Sequence, residues 1–371
     1  MNLVITCIAW VESLIKNEVE RLGYRISEVK DRLVCLETDD AWIARVNLWS
    51  RVGNKVYLEL AKKQIYDFDT LFDIVDDIDW REYVDWWAPV IVNAVSIKSQ
   101  LTSLPAIQKT VKKAIVTNVL WNKTDILLED PKVTPVEILV FIQDDECRVL
   151  LNTSWDALHK RGYRTSEHEA PIKESLAAAL VLLSGWSYKK PLYDFFCGSW
   201  TILIEAALIA RNIAPGSLWR RFSFEQFSWY PKKYLIEARE EAKQKSFADK
   251  KYEIYWSDLE EYNIRMAKAN AENAKVLDTI NFTVKDASEY EKKLDLAWTV
   301  ISNPPYGLRL NKSNTADIYK IIAWIFRLNS GLNGGVITSY EDFDEMLKMS
   351  EWKKRKLYNG NERCYFYKKV A

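Results

Sequence analysis

Ser302 to Gly307 read S-N-P-P-Y-G and follow an apolar run, D-L-A-W-T-V-I. Asparagine before two prolines can simply be a stiff turn that ends a strand. It can also be a receptor for an amino group. An exocyclic amine on a purine is a poor nucleophile, because the ring shares its lone pair. Asn303 Oδ1 and the Pro304 carbonyl are suited to accept its two N–H groups and stabilise charge that develops on nitrogen. Pro304 and Pro305 restrict the backbone carrying that carbonyl. Tyr306 offers a face on which a flipped-out base can stack. Asn303 through Tyr306 are the candidate catalytic residues.

A second stretch, D-F-F-C-G-S-W-T (194–201), joins an apolar strand to a long Ala/Leu/Ile helix through small residues. Asp194, Cys197, Gly198, Ser199, Trp200 and Thr201 then lie where a helix N-terminus offers free N–H groups and a positive dipole. That suits a carboxylate such as the methionine part of S-adenosylmethionine. Asp258 in S-D-L-E-E-Y-N ends another strand, where an acid binds ribose hydroxyls or merely caps a helix. Asp286 in V-K-D-A-S-E-Y occupies the analogous place one strand later. It could read an adenine amino group or be a solvated acid. Asn303 would face the same cofactor.

These residues need a scaffold that brings strand ends together. From about residue 171 onward, strands (LYDFF, EIYWS, INFTV, DLAWTVI, GGVITSY) alternate with helices at 201–212, 259–274 and 316–328. Such alternation predicts an α/β, doubly wound and mostly parallel sheet, with ligands beyond the carboxyl ends of its strands. The first 155 residues predict an α+β domain, with Val11, Leu14, Ile15, Val19 and Leu22 at helical spacing before Gly23. Residues 156–170, which include H-K-R-G-Y-R, predict a basic link between domains 1–155 and 171–371.

Lysine plus arginine and aspartate plus glutamate number 52 each, so a polyanionic partner would need a local patch. Candidates for phosphate contact are Lys109, Lys112 and Lys113 on one helix and Lys160, Arg161 and Arg164 in the link, with a further run at 353–356. Five scattered cysteines without C-x-x-C, and only His159 and His168, argue for reduced cytoplasmic thiols and against a metal site. No apolar run has the roughly 18 residues of a membrane span.

The motifs S-N-P-P-Y-G, C-G-S-x-T-I-L-I-E-A-A-L-I-A-R-N-I-A-P-G, S-D-L-E-E-Y-N, L-H-K-R-G-Y-R and R-K-L-Y-N-G together resemble the THUMP-domain RNA guanine-N2 methyltransferases. They are nearest the bacterial enzymes that act on large-subunit (23S) ribosomal RNA. The resemblance implies an N-terminal ferredoxin-like plus THUMP RNA-binding region and a C-terminal class I methyltransferase. It implies S-adenosylmethionine held by Asp194, Cys197, Gly198, Ser199, Asp258 and Asp286, and a target guanine at Asn303, Pro304, Pro305 and Tyr306. N-P-P-Y alone is shared with N6-adenine DNA methyltransferases. A tRNA-directed enzyme of the same architecture is the runner-up, and a catalytically silent RNA-binding factor is the rival if Trp200 is genuine.

One departure recurs. Tryptophan stands where the resembled family has glycine at Trp10, Trp155, Trp200, Trp256, Trp298 and Trp324. The chain has 16 tryptophans and only 11 glycines, about 3% against a usual ~7%. This pattern predicts a gene in which UGA is read as glycine, with an indole at 200 intruding where backbone must approach the cofactor.

Overall fold

The structure is a computed structural model that describes the chain apart from residues 86, 121–129, 131, 165–171, 197–199, 219, 291–297, 306–311 and 371. Two seven-stranded sheets organise the described residues.

The first sheet holds β1 (Asn2–Thr6), β2 (Ile26–Lys30), β3 (Leu33–Glu37), β4 (Lys55–Gln64), β5 (Val90–Ile97), β6 (Val136–Gln143) and β7 (Glu146–Asn152), in the order β2-β3-β1-β4-β7-β6-β5. Helices α1 (Glu12–Arg21), α2 (Ala41–Trp49), α3 (Phe68–Asp76) and α4 (Leu104–Leu120) accompany it. As its spacing predicts, α1 buries Leu14, Ile15 and Val19, and Val11 just before it is also buried. Gly23, at φ +91°, follows its end. The β6–β7 hairpin closes through Asp144 and Asp145, both at positive φ, a turn that short acidic side chains tolerate.

The second sheet holds β8 (Leu192–Asp194), β9 (Ile254–Asp258), β10 (Ile280–Val284), β11 (Thr299–Ser302), β12 (Asn333–Thr338), β13 (Trp352–Asn359) and β14 (Glu362–Lys369), in the order β10-β9-β8-β11-β12-β14-β13. Strands β8 to β12 pair in parallel, while β14 runs antiparallel to both β12 and β13. Around it are α5 (Glu174–Ser184), α6 (Thr201–Ala210), α7 (Lys232–Lys245), α8 (Glu261–Asn273), α9 (Lys312–Leu328) and α10 (Phe343–Met346). Every residue of β11 is buried, as expected of a central parallel strand covered on both faces. Gly334 shows how tightly the strands lie: a Cβ there would meet the Val300 carbonyl oxygen at 1.9 Å. Chain order reverses between β8 and β11, which makes their carboxyl ends the switch point.

The two halves are bolted together by side chains. Arg45 on α2 forks onto Glu241 of α7 with both contacts at 2.7 Å, and Arg51 Nη2 donates to the Ile213 carbonyl at 2.8 Å. Beneath them lies a buried cluster around Glu205, which is fully enclosed and has no alternative to protein partners. The Glu205 carboxylate accepts Arg161 Nε at 3.4 Å and the Tyr163 hydroxyl at 3.2 Å. The Arg161 guanidinium also donates to the Leu158 and Arg51 carbonyls.

Candidate active site

Four expected residues stand at the carboxyl ends of neighbouring strands. Asp194 ends β8, Asp258 ends β9, Asp286 follows β10 by two positions, and Asn303 follows β11. Parallel pairing aligns these ends along one rim of the sheet.

Asp194 is 4% exposed and accepts the Ser302 hydroxyl at 2.6 Å and the Phe196 N–H at 3.1 Å. Burial pushes its carboxyl up to about 7 against those two hydrogen bonds, and the nearby Asp258 carboxylate adds to the rise. Asp258 Oδ1 accepts the Glu260 N–H at 2.9 Å and Asn263 Nδ2 at 3.0 Å. That turn precedes α8, whose N-cap is Glu260 rather than Asp258. Asp286 Oδ1 accepts the Ser288 N–H at 2.7 Å, and hydrogen bonding from Ser288 holds its carboxyl below the ordinary range.

Asn303 is 7% exposed, and its Oδ1 has no hydrogen-bond partner among the described residues. An enclosed amide oxygen without a donor is costly, so its position at a strand end marks a place for a ligand N–H. Pro304 is buried and Pro305 half-buried beside it. Tyr306 lies outside the described residues, as do Cys197, Gly198 and Ser199.

Thr201 opens α6, and its Oγ1 accepts Arg164 Nη2 at 2.7 Å. Trp200 is the N-cap of that helix, in the left-handed region at φ +46°. Its indole is buried with the large apolar core. The side chain is taken into the core, and the strain at this position lies in the backbone.

The basic link is also corrected. Arg161 is 1% exposed and committed to Glu205 and two carbonyls, so no phosphate reaches it. Arg164 turns inward as well, pairing with Glu174 at 3.1 Å and with Thr201. The chain needs these guanidiniums because Glu174 and Glu205 are buried acids. Only Lys160 is exposed, and it pairs with Asp156 at 3.0 Å. By contrast, Lys109 and Lys113 are exposed on α4, and Lys112 joins them along a shallow groove of about 360 Å³ with Val92 and Val116.

Sequence reasoning missed Ser302 and Glu205. The first reads as part of a turn and the second as an interruption in an apolar helix. Contacts across 108 and 44 residues, to Asp194 and Arg161, give them their roles.

The family described as "RMKL-like, methyltransferase domain" matches residues 161–368, and "RlmL ferredoxin-like domain" matches residues 2–57. The chain belongs to the RMKL-like methyltransferases. Among curated relatives of this RMKL-like chain is YpsC of Bacillus subtilis, named provisionally as an RNA methyltransferase. It is 36% identical over 99% of this chain and 95% of its own. "Ribosomal RNA large subunit methyltransferase K/L" of Shewanella baltica is 33% identical over 87% of this chain but only 46% of its own. The chain therefore spans about half the length of the K/L proteins. A Listeria monocytogenes structure described as a predicted N6-adenine-specific DNA methylase superposes with TM-score 0.90 at 37% identity, covering 100% of this chain and 96% of that one. The structure of SMU.472, described as a methyltransferase provisionally, contains SAH (S-adenosylhomocysteine) and superposes with TM-score 0.87 at 33% identity, covering 100% and 98%. The cofactor of this RMKL-like enzyme is S-adenosylmethionine.

Four of the five cysteines, Cys7, Cys35, Cys147 and Cys364, are buried free thiols, and Cys197 lies outside the described residues. Among the described residues no helix is long and apolar enough to cross a membrane.

Proposed function

We propose that the chain methylates the exocyclic N2 of a guanosine in 23S ribosomal RNA, with the base flipped out of its helix into the N-P-P-Y site. When bound, S-adenosylmethionine supplies a methyl group activated on a sulfonium. The rim acids Asp194, Asp258 and Asp286 hold the cofactor. Asn303 Oδ1 and the Pro304 carbonyl accept the two N–H groups of the amine and orient its nitrogen for in-line attack. Tyr306 stacks on the base. The alkylated amine is acidic, so its proton leaves without a strong base.

The observation that carries this reading is the buried Asn303 Oδ1 after the end of β11, which has no partner among the described residues. The K/L name of the Shewanella relatives supports ribosomal RNA as substrate. The three lysines of the α4 groove supply a backbone grip that is salt-sensitive and sequence-blind. The experiment is incubation of the protein with S-adenosylmethionine and unmodified 23S rRNA or tRNA, followed by nucleoside mass spectrometry. N2-methylguanosine in the 23S sample supports the proposal. N6-methyladenosine, product in tRNA alone, or no product overturns it.

A further inference from the structure

Nine described residues other than glycine have positive φ. Six are polar: Arg32, Lys98, Asp144, Asp145, Asn212 and Lys275. Asp144–Asp145 forms a hairpin turn, and Asn212 and Lys275 lie just beyond the ends of α6 and α8. Asparagine and aspartate visit this region because a short polar side chain can bond locally. The other three are Trp10 at φ 77°, Trp155 at 68° and Trp200 at 46°. Tryptophan has no such device, and its Cβ carries a large ring into the clash with the following carbonyl. Sixteen tryptophans among 371 residues would place fewer than one in nine such positions by chance.

The surrounding structure prescribes the backbone at each of the three. The Trp10 N–H donates to Glu12 Oε1 at 3.1 Å, and its carbonyl accepts Arg355 from β13. The Trp155 carbonyl accepts Asn152 Nδ2 at 2.9 Å. Trp200 begins α6. The indoles at 10 and 155 gain little in return, being 52% and 37% exposed. Tryptophans elsewhere behave as tryptophans should. Trp80 is fully buried and its indole N–H donates to the Val75 carbonyl at 2.7 Å, while that of Trp186 donates to Lys190 at 2.8 Å. Neither has positive φ.

We infer that positions 10, 155 and 200 are glycine in the protein as its own cell makes it, because the codon there, UGA, is decoded as glycine. The backbone at these positions asks for a residue without a Cβ, as at Gly23, Gly162, Gly185, Gly334 and Gly360, which also have positive φ. At 200 this restores a glycine to the N-cap of α6. The inference does not depend on which base or nucleic acid is methylated. Nothing in the backbone extends it to the other three. Trp256 lies within β9, Trp298 stacks on Tyr193 at 4.1 Å, and Trp324 lies within α9, all without positive φ.

The test is to read the gene's codons and sequence peptides of the protein isolated from its source cells by mass spectrometry. Expected are UGA codons and glycine-containing peptides at 10, 155 and 200, with UGG codons and tryptophan at 80 and 186 in the same digest. UGG at the three positions, or tryptophan in their peptides, overturns the inference whatever the enzyme methylates. Failure to detect N2-methylguanosine would leave the peptide result standing.

Discussion

If the backbone at 10 and 155 is left-handed, the order of alanine and glycine must invert between those sites and an ordinary helical site. Trp324 supplies the control, being 49% exposed in the interior of α9. Each indole is replaced in turn by alanine and by glycine, so the cost of removing the ring is common to both variants. A Cβ at positive φ costs roughly 1–2 kcal/mol. Glycine forfeits about 0.4–1 kcal/mol of that through the greater freedom of its unfolded chain. Trp10→Gly and Trp155→Gly should therefore each be more stable than the alanine variants by about 0.5–1 kcal/mol. In α9 the sign reverses, with Trp324→Ala more stable than Trp324→Gly by about 1 kcal/mol. Equilibrium urea unfolding of the six proteins reads the difference directly. Alanine equal to or better than glycine at both 10 and 155 would refute the backbone argument, whatever happens at 324.

Four further outcomes follow from the site and its supports. Trp200→Gly should bind S-adenosylhomocysteine about tenfold tighter than the chain with tryptophan in isothermal titration, since a Cβ at 200 resists the backbone's approach to the bound cofactor and about 1.4 kcal/mol of difference between free and bound states is tenfold. Unchanged binding would remove position 200 from the cofactor turn. Asn303→Ala should lower turnover on RNA by about 10²–10³, the usual loss of a charge-stabilising group, while the circular dichroism spectrum stays the same. Replacing Lys109, Lys112 and Lys113 with alanine should weaken RNA binding and lessen the steepness of its salt dependence by about two to three contacts. Unaltered salt dependence would clear α4 of a role. Two buried carboxyls should also contribute stability that falls with rising pH, against the opposite trend from His159, whose imidazole burial holds well below its ordinary value. Burial raises the carboxyls of Asp194 and Glu18 from 3.8 and 4.5 to about 7 each. The folded state then keeps protons that the unfolded chain releases, so the contribution is full near pH 4 and is lost as pH approaches about 7. Asp194→Asn with Glu18→Gln should remove that contribution, on the order of several kcal/mol across this range in urea unfolding. A decline that persists in the double variant would assign it elsewhere.

The strand–helix alternation and the rim of the second sheet could be read in the sequence because each rests on local pattern, whereas the strand order rests on long-range pairing. Apolar strands alternate with helices, and an acid or amide follows a strand at Asp194, Asp258, Asp286 and Asn303. Helices α3 and α7 and strand β2 went unread, the last because its residues are only half-buried or exposed. The basic link misled for a different reason. Arg161 and Arg164 look like surface cations until Glu205 and Glu174, buried 44 and 10 residues away, claim them. A charge run reports its composition, and only the fold says which way each side chain turns. Trp10, Trp155 and Trp200 stand among six tryptophans singled out in the sequence, and only φ separates these three from Trp256, Trp298 and Trp324.

The bolts between the halves make the molecule a caliper with a fixed gap. The span from the α4 lysines to Asn303 is set where α2 meets α7 and where Arg161 enters the Glu205 cluster. Chain length between the halves has no part in it. Inserting residues between 165 and 170 would leave the gap as it is, whereas cutting a bolt such as Arg45–Glu241 would let it drift. On the function proposed above, a target would be chosen partly by how far its reactive base stands from the RNA backbone held at the α4 lysines.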